Sequence, residues 1–590
     1  MKNIISFCAA LVIINGIYFS ASAQIPDGYQ NGLKVINKQD LKKYITYLAS
    51  DELKGRAFGT EENLTAARFI AKKFNEFGLI PYDDFVNPVK LRNPKSKQLK
   101  KSGGNSSPDS FDEYFQRFYL IESKLNESSS KLKLVKKSDP GFKSYLYNYG
   151  QDYIIDYSSN KNVELRGQLV FLGYGIDKQE NGYNDYITDD GKAIDVRNKI
   201  VIMVDGFPQE SDSSSFFNKS KNREIKNIKQ KAKTAFENGA LAVLVAQSPL
   251  KNLPLFGIKV ENLARAFSRS EYDLPEIRSD EATPLIYISR DVVNDIFSRS
   301  GKKYSDLMKS IEQNLKPVSF ELNDLSVEIE VVFDKKMVAS QNVIGFMEGS
   351  DPVLKNEFVV IGAHYDHVGI GNFGAMNPKD KGKIHNGADD NASGTSGVIE
   401  LAEAFSKVKP KRSIIFIGFS AEETGIHGSR HYAYQNPLKP INKTVGMVNL
   451  DMIGRNDTSL VWIGGIFYSS DLKNLVEEAN SKIGFELLYN VGLLTFASDQ
   501  GPFIRKEVPS ILFFAGLHDD YHTPLDDADK VDFNKAEKIT KLAYISSWML
   551  ANNSETPKYR ALSRDEKMKL VQDSIERQKK YNLQEKNSKE

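Results

Sequence analysis

At 590 residues the chain is too long for one ordinary domain, and two or more are expected. Hydrophobic residues make up 40% and charged residues 26%, a globular balance that excludes a disordered or fibrous chain. A formal net charge of only +2 leaves no electrostatic footprint for nucleic acid or an anionic surface.

The chain begins MKNIISFCAALVIINGIYFSASAQ: Lys2, an apolar run, then Ala21-Ser22-Ala23. That order predicts a signal peptide over residues 1–23, cleaved near Ala23, and a secreted or periplasmic protein. The apolar run is short and interrupted by polar residues, which argues against a stable membrane anchor. Cys8, the single cysteine, lies inside this segment, so the mature chain is expected to hold neither a disulfide nor a thiol nucleophile.

Residues 37–50 show an amphipathic helical pattern, with Leu41, Tyr44, Ile45 and Leu48 on one face. A Gly-rich turn, GRAFGTEEN, precedes a second helix carrying Leu64, Ala67, Ile70, Ala71 and Phe74, with Gly78 as its stop. Residues 93–109 are basic, then Gly/Ser-rich, and read as a mobile surface loop. From 145 to 324 the texture changes. QLVFLGYGI, NKIVIMVDG and ALAVLVA read as strands, a helix spans 226–238, and no histidine occurs. This stretch is expected to be a β-rich domain inserted between an N-terminal part (24–144) and the main part (325–555) of a first domain. Residues 556–590 are highly charged. Ser563 and Glu566 there form a capping-box pattern, which predicts a surface helix.

All seven histidines fall between His364 and His522. Within that interval, apolar runs stop at polar residues: FVVIGA at His364 and Asp366, SIIFIGF before Glu422 and Glu423, VGMVNL at Asp451, ILFFA before Tyr521 and His522. Such runs, separated by helical patterns, predict an α/β fold with a mixed, mostly parallel sheet flanked by helices. Ligands in open α/β sheets sit outside the carboxyl ends of the strands, so these residues should meet at one edge. Two histidines among several carboxylates suit zinc better than calcium or magnesium, and the number of donors suits two ions. A bridging carboxylate should come from a tight, rigid turn, which is the setting of Asp390 in NGADDNASG. Glu422 and Glu423 are adjacent, so their side chains diverge; one can ligate while the other serves as general base. Asp366, two residues past His364, is placed to accept the imidazole's other N–H.

GAHYDH, NGADDNASG, FSAEETGIHGSRHYA, NLDMIGR and DDYHTPLDD, in this order, resemble the M28 family of co-catalytic zinc metallopeptidases, above all its bacterial aminopeptidase-type members. The likeness covers residues 36–79, including TYLASDELKGR, and 342–551. Residues 145–324, with VFLGYGI and GALAVLVA, look like a protease-associated (PA) domain. Carried over by position, the resemblance implies two zinc ions. His364, Asp390 and Asp451 would hold one; Asp390, Glu423 and His522 would hold the other, with Asp390 bridging. It further implies Glu422 as general base, Asp366 as the partner of the first histidine, and Tyr521 as a group that steadies the tetrahedral oxyanion. His367, His385, His427 and His431 match no ligand and are read as packing or surface residues.

The activity expected is that of an exported aminopeptidase acting on peptides. A carboxypeptidase or dipeptidase would need a basic residue for the substrate carboxylate, with Arg430, Arg455 and Arg505 as candidates. A non-catalytic peptide-binding protein is opposed by the intact ligand set, and a glutaminyl-cyclase-like transferase by that set together with the inserted domain. Neither composition nor motif bears on oligomeric state.

Overall fold

Asn37 opens the first long helix: its side chain accepts the Asp40 N–H, and Leu41, Tyr44, Ile45 and Leu48 turn inward along Lys38–Leu48. In the computed structural model, which describes residues 24–86, 111–156, 161–178, 182–188, 190–218, 224–250, 270–275, 283–489 and 495–589, the second helix is Glu61–Glu76. Gly78 follows at φ +74°, the left-handed stop that glycine provides. The expected signal segment 1–23 and surface loop 93–109 lie outside the described residues.

The chain divides into two units, one formed by residues 1–118 with 339–590 and the other by 119–338. In the first, a mixed sheet includes β1 (Phe333–Met347), β2 (Phe358–His364), β3 (Ser413–Phe419), β4 (Thr444–Leu450), β5 (Leu460–Gly464), β6 (Glu486–Tyr489) and β7 (Ser510–Phe514). Their order is β1-β3-β2-β4-β7-β5-β6. The central strands β3, β2, β4 and β7 are mutually parallel, while β1 runs antiparallel to β3 and β5 antiparallel to β7, with β6 parallel to β5. The central four are buried along their whole length, as parallel strands covered on both faces must be. Helices Gly394–Lys407 and Phe533–Asn552 bury Leu401, Phe405, Ile539, Ala543 and Trp548 in the core on one side. Asp532 caps the latter helix by accepting the Asn534 and Lys535 N–H groups. Because the four strands are parallel, their carboxyl ends share one edge, and the loops that follow carry the candidate ligands.

The second unit contains an eight-stranded sheet. Val163–Leu172, Ile200–Val204, Ala242–Ala246 and Leu285–Ile288 form its parallel centre, with antiparallel strands outside. Its limits lie outside those read from sequence, 145 and 324. Lys131–Lys137 pairs with both Phe142–Tyr147 and Ser319–Val331, so the charged strand assigned to the N-terminal part belongs here instead. Its alternating Lys residues masked the pairing, since only Leu132 and Leu134 face the core. The charged tail forms a helix, Arg564–Lys589, and its capping box is present: Ser563 N–H donates to Glu566 and the Glu566 N–H to Ser563 Oγ.

Residues 119–338 own a complete sheet and a core that includes Phe171, Ile202, Leu244, Phe297 and Ile329. Expressed alone, this unit should fold with one cooperative thermal transition and a structured near-ultraviolet circular dichroism spectrum. A broad transition without near-ultraviolet signal would place its stabilising contacts elsewhere.

Candidate metal centre

The carboxyl end of β2 is His364. Its Nε2 lies 3.3 Å from Asp451 Oδ1, just past β4, and 3.4 Å from Asp390 Oδ1. The other oxygen of Asp390, Oδ2, lies 3.1 Å from His522 Nε2, and Glu423 Oε2 lies 2.9 Å from that same nitrogen. One carboxylate thus faces two separate donor groups, one through each oxygen. The donors of each group lie close enough together to hold one ion: His364, Asp390 and Asp451 in the first, and Asp390, Glu423, His522 and also His367 in the second. His522 Nε2 is buried with no hydrogen-bond partner although two carboxylate oxygens face it, the arrangement expected of ligands waiting on a cation. Imidazole plus carboxylate donors fit zinc.

The tautomers are fixed by the far side of each ring. His522 Nδ1–H donates to the Gly374 carbonyl at 2.8 Å, leaving Nε2 as the donor atom. His364 Nδ1 meets the backbone carbonyl of Asp366 at 3.2 Å, while the Asp366 carboxylate stands 3.9 Å away. This corrects the expected role of Asp366: its backbone orients His364, and its carboxylate instead accepts the Glu422 N–H at 3.2 Å. Asp366 is fully enclosed, and burial pushes its carboxyl up to about 7.

The two neighbouring glutamates part company. Glu423 joins a donor group and Glu422 joins neither. Burial opposes ionisation of Glu423, but the His522 and His367 imidazoles hold it well below the usual carboxylate range. Burial raises Glu422 well above that range, and the charges of Glu423, Asp499 and Asp451 push it further against the pull of His364. Tyr521 stacks on His522 with ring centroids 3.9 Å apart, and burial followed by the Asp390 and Glu423 charges raises its phenol.

Backbone geometry at these loops is costly for ordinary residues. Ala421, Met452 and His522, each at or beside a candidate ligand, have φ of 61°, 52° and 52°. Side-chain hydrogen bonds hold the loops in place. Asn391 donates to the Leu450 carbonyl and accepts the Met452 N–H, tying the Asp390 turn to the Asp451 loop. Thr395 Oγ1 donates to the His364 carbonyl at 2.7 Å. The Asp526 carboxylate accepts the N–H groups of both Asp389 and Asp390, and Gly454 N–H donates to Asp389 Oδ1 at 2.6 Å.

Two residues that sequence reasoning passed over, and one that it read otherwise, belong to this neighbourhood. Arg56 is wholly buried, yet its guanidinium donates to backbone carbonyls of Tyr365 (2.6 Å), Leu48 (3.1 Å), Gly387 (2.7 Å), Asp390 (3.3 Å) and Asn386. It pins the loop after β2 and the Asp390 turn together. Burial lowers it to about 10, with the Asp390, Asp366 and Asp526 charges opposing, so it stays cationic at neutral pH. The GR of TYLASDELKGR was its only signal. Asp499 is also fully buried, with its carboxyl pushed up to about 7 by burial, against the pull of His364. His367, read as packing or surface, is the third and requires a correction: its Nδ1 lies 2.6 Å from Glu423 Oε1. The tight turn after β2 brings the ring back under the ligands. The ring nitrogens of His427 and His385 engage the Thr424 and Lys383 carbonyls, and His431 stacks on Phe118.

Replacing Arg56 by Met would remove a buried cation and strand its carbonyl partners. A loss of about 3–5 kcal/mol in unfolding free energy is expected, with weaker metal retention, read by denaturant titration and elemental analysis. Gly387 has φ +58°, and a Cβ there would meet Asp390 O at 2.2 Å and His367 Cδ2 at 2.4 Å. Gly387→Ala should therefore lose metal; a variant with wild-type metal content would show that the turn tolerates a shift.

Comparison with known proteins finds likeness to one family over part of the chain. Residues 342–545 match the profile described as Peptidase family M28. The chain is similar to Aminopeptidase YwaD of Bacillus subtilis, 29% identical over 233 residues, which is 37% of this chain and 46% of that protein. It is similar to Leucine aminopeptidase 2 of Trichophyton equinum, 27% identical over 202 residues, 33% of this chain and 37% of that one. The chain thus spans less than half the length of these curated relatives. Among solved structures, an aminopeptidase from Aneurinibacillus sp. strain AM-1 aligns over 91% of this chain and 99% of its own, at 19% identity and a TM-score of 0.47. The match to peptidase family M28 thus rests on residues 342–545, the part of the chain that carries every candidate ligand.

Proposed function

We propose that this protein is an exported dizinc aminopeptidase that removes N-terminal residues from peptides. The observation that carries the reading is the division of Asp390 between two His–carboxylate groups, which suits a pair of bridged ions. The names of the similar proteins, an aminopeptidase from Bacillus subtilis and a leucine aminopeptidase from Trichophyton equinum, support the choice of reaction. When bound, two zinc ions would polarise the scissile carbonyl and acidify the attacking water. Glu422, outside both donor groups and raised by burial, takes the proton from that water and passes it to the departing amine. Tyr521 donates its hydroxyl proton as a hydrogen bond to the developing oxyanion.

Charge supports an amino- rather than a carboxypeptidase. Glu422, Asp451 and Asp499 lie close enough for their charges to act on one another, a surrounding that suits the ammonium of a free N-terminus better than a substrate carboxylate. Of the basic candidates, Arg455 is committed to Asp520 at 2.5 Å and lies 3.8 Å from Asp526, and Arg505 lies over the Phe496 ring. Export rests on the signal pattern at residues 1–23, and residues 119–338 are read as a PA-like insertion. No helix among the described residues is long and apolar enough to cross a membrane.

The test is a panel of aminoacyl, N-blocked and dipeptide substrates, with and without chelator, on the wild type and three variants. Glu422→Gln should lose ~10²–10⁴-fold in kcat with about two zinc ions retained. Glu423→Gln and His522→Ala should lose zinc and recover in part when zinc is added, because an amide or a methyl replaces a ligand. Cleavage of N-blocked peptides, or full activity in Glu422→Gln, would refute the proposal.

A further inference from the structure

The second donor group holds one imidazole more than its two-ion reading requires. His367 and His522 meet edge to face, with ring centroids 5.4 Å apart and planes at 80°. His367 is fully buried. Its Nδ1 lies 2.6 Å from Glu423 Oε1 but 3.8 Å from Asp390 Oδ2. Two roles are open to such a ring: a fourth ligand, or a hydrogen-bond donor that sets the carboxylate.

The distances choose between them. Donors on one tetrahedral zinc, each about 2.0–2.1 Å from it, sit about 3.3 Å apart. The Glu423 Oε2 to His522 Nε2 and Asp390 Oδ2 to His522 Nε2 separations, 2.9 and 3.1 Å, approach that spacing. The His367 to Glu423 separation is instead that of a charge-assisted N–H···O bond. Its acceptor is also Oε1, the oxygen that Glu423 does not turn toward His522. A fourth protein donor would moreover close the coordination shell, as in structural zinc sites, where catalysis needs an open position.

We propose that His367 is a positioning residue: its Nδ1–H donates to Glu423 Oε1 and so turns Oε2 toward the second metal, which keeps three protein ligands. The inference rests on the two-zinc reading given above. Gly387 is what lets the ring lie there, since a Cβ at that position would meet His367 Cγ at 2.5 Å. The ring's other face of influence is His522, which it braces on one side while Tyr521 stacks on it with planes 23° apart.

The experiment uses the full-length holoenzyme, with zinc followed by chelator competition and cobalt(II) as the spectroscopic probe. His367→Ala should weaken the second ion about 10–100-fold, the usual effect of losing a group that orients a ligand, and leave the first ion's affinity unchanged. His367→Asn presents an amide N–H close to where Nδ1 stood, so it should restore most of that affinity with an unaltered cobalt spectrum. If the alanine variant does not fold, the asparagine variant alone carries the test. Unchanged affinity in His367→Ala would overturn the proposal. So would an asparagine variant with weakened binding and a cobalt spectrum that has lost a nitrogen ligand, because His367 would then be a ligand. A wild-type chain that binds no second ion would overturn this inference and the two-zinc reading together, whereas a normal wild type with an unaffected alanine variant overturns this inference alone.

Discussion

Carboxylates withdrawn from water must be neutralised or paired, and this constraint governs the first unit. Asp366, Asp390, Glu422 and Glu423 converge within an enclosed space at one sheet edge, with Asp451 and Asp499 beside them. Two imidazoles, His364 and His522, point their Nε2 atoms into the same space. The proposed dications would answer the charge in the middle. Arg56 answers it from beneath, as a buried guanidinium whose donors all go to backbone carbonyls. A cation placed there both offsets the field and fixes the loops, because each N–H it donates holds one turn of chain.

The sheet makes the convergence possible. Parallel neighbours deliver the ends of β2, β3, β4 and β7 to one edge, so four loops can meet without any long excursion. Each loop then bends sharply, with positive φ at Ala421, Met452 and His522. Such backbone is held by its surroundings: Asn391, Thr395 and Asp526 stitch neighbouring loops together by hydrogen bonds that cross from one strand end to the next. The donor geometry is thus a property of several loops at once and of no single one.

His367 shows the same principle on a smaller scale. The carboxylate of Glu423 has two oxygens, and the one held by an N–H determines which way the other turns. The ring that supplies the N–H is admitted by a missing side chain at Gly387. A ligand's orientation therefore depends on a residue that is not a ligand and on a glycine beyond it.

Much of this was legible in the chain itself. Apolar runs ending at His364, Asp451 and the Glu422-Glu423 pair announce buried parallel strands and their loops, since hydrophobic length and a polar stop are local properties. The helix at 38–48 and the capping box at Ser563 are local too, and each stands where the pattern put it. What tertiary structure alone decided involves residues far apart. Arg56 meets Asp390 across more than three hundred positions. Lys131–Lys137 joins the second unit through partners near 325–330, although its alternating lysines resemble a surface strand. The carboxylate of Asp366 turned to the Glu422 N–H and left the imidazole to its backbone carbonyl. Sequence names the groups able to ligate because chemistry resides in side chains; which oxygen each one turns inward follows from packing between loops, and that exists only once the chain has folded.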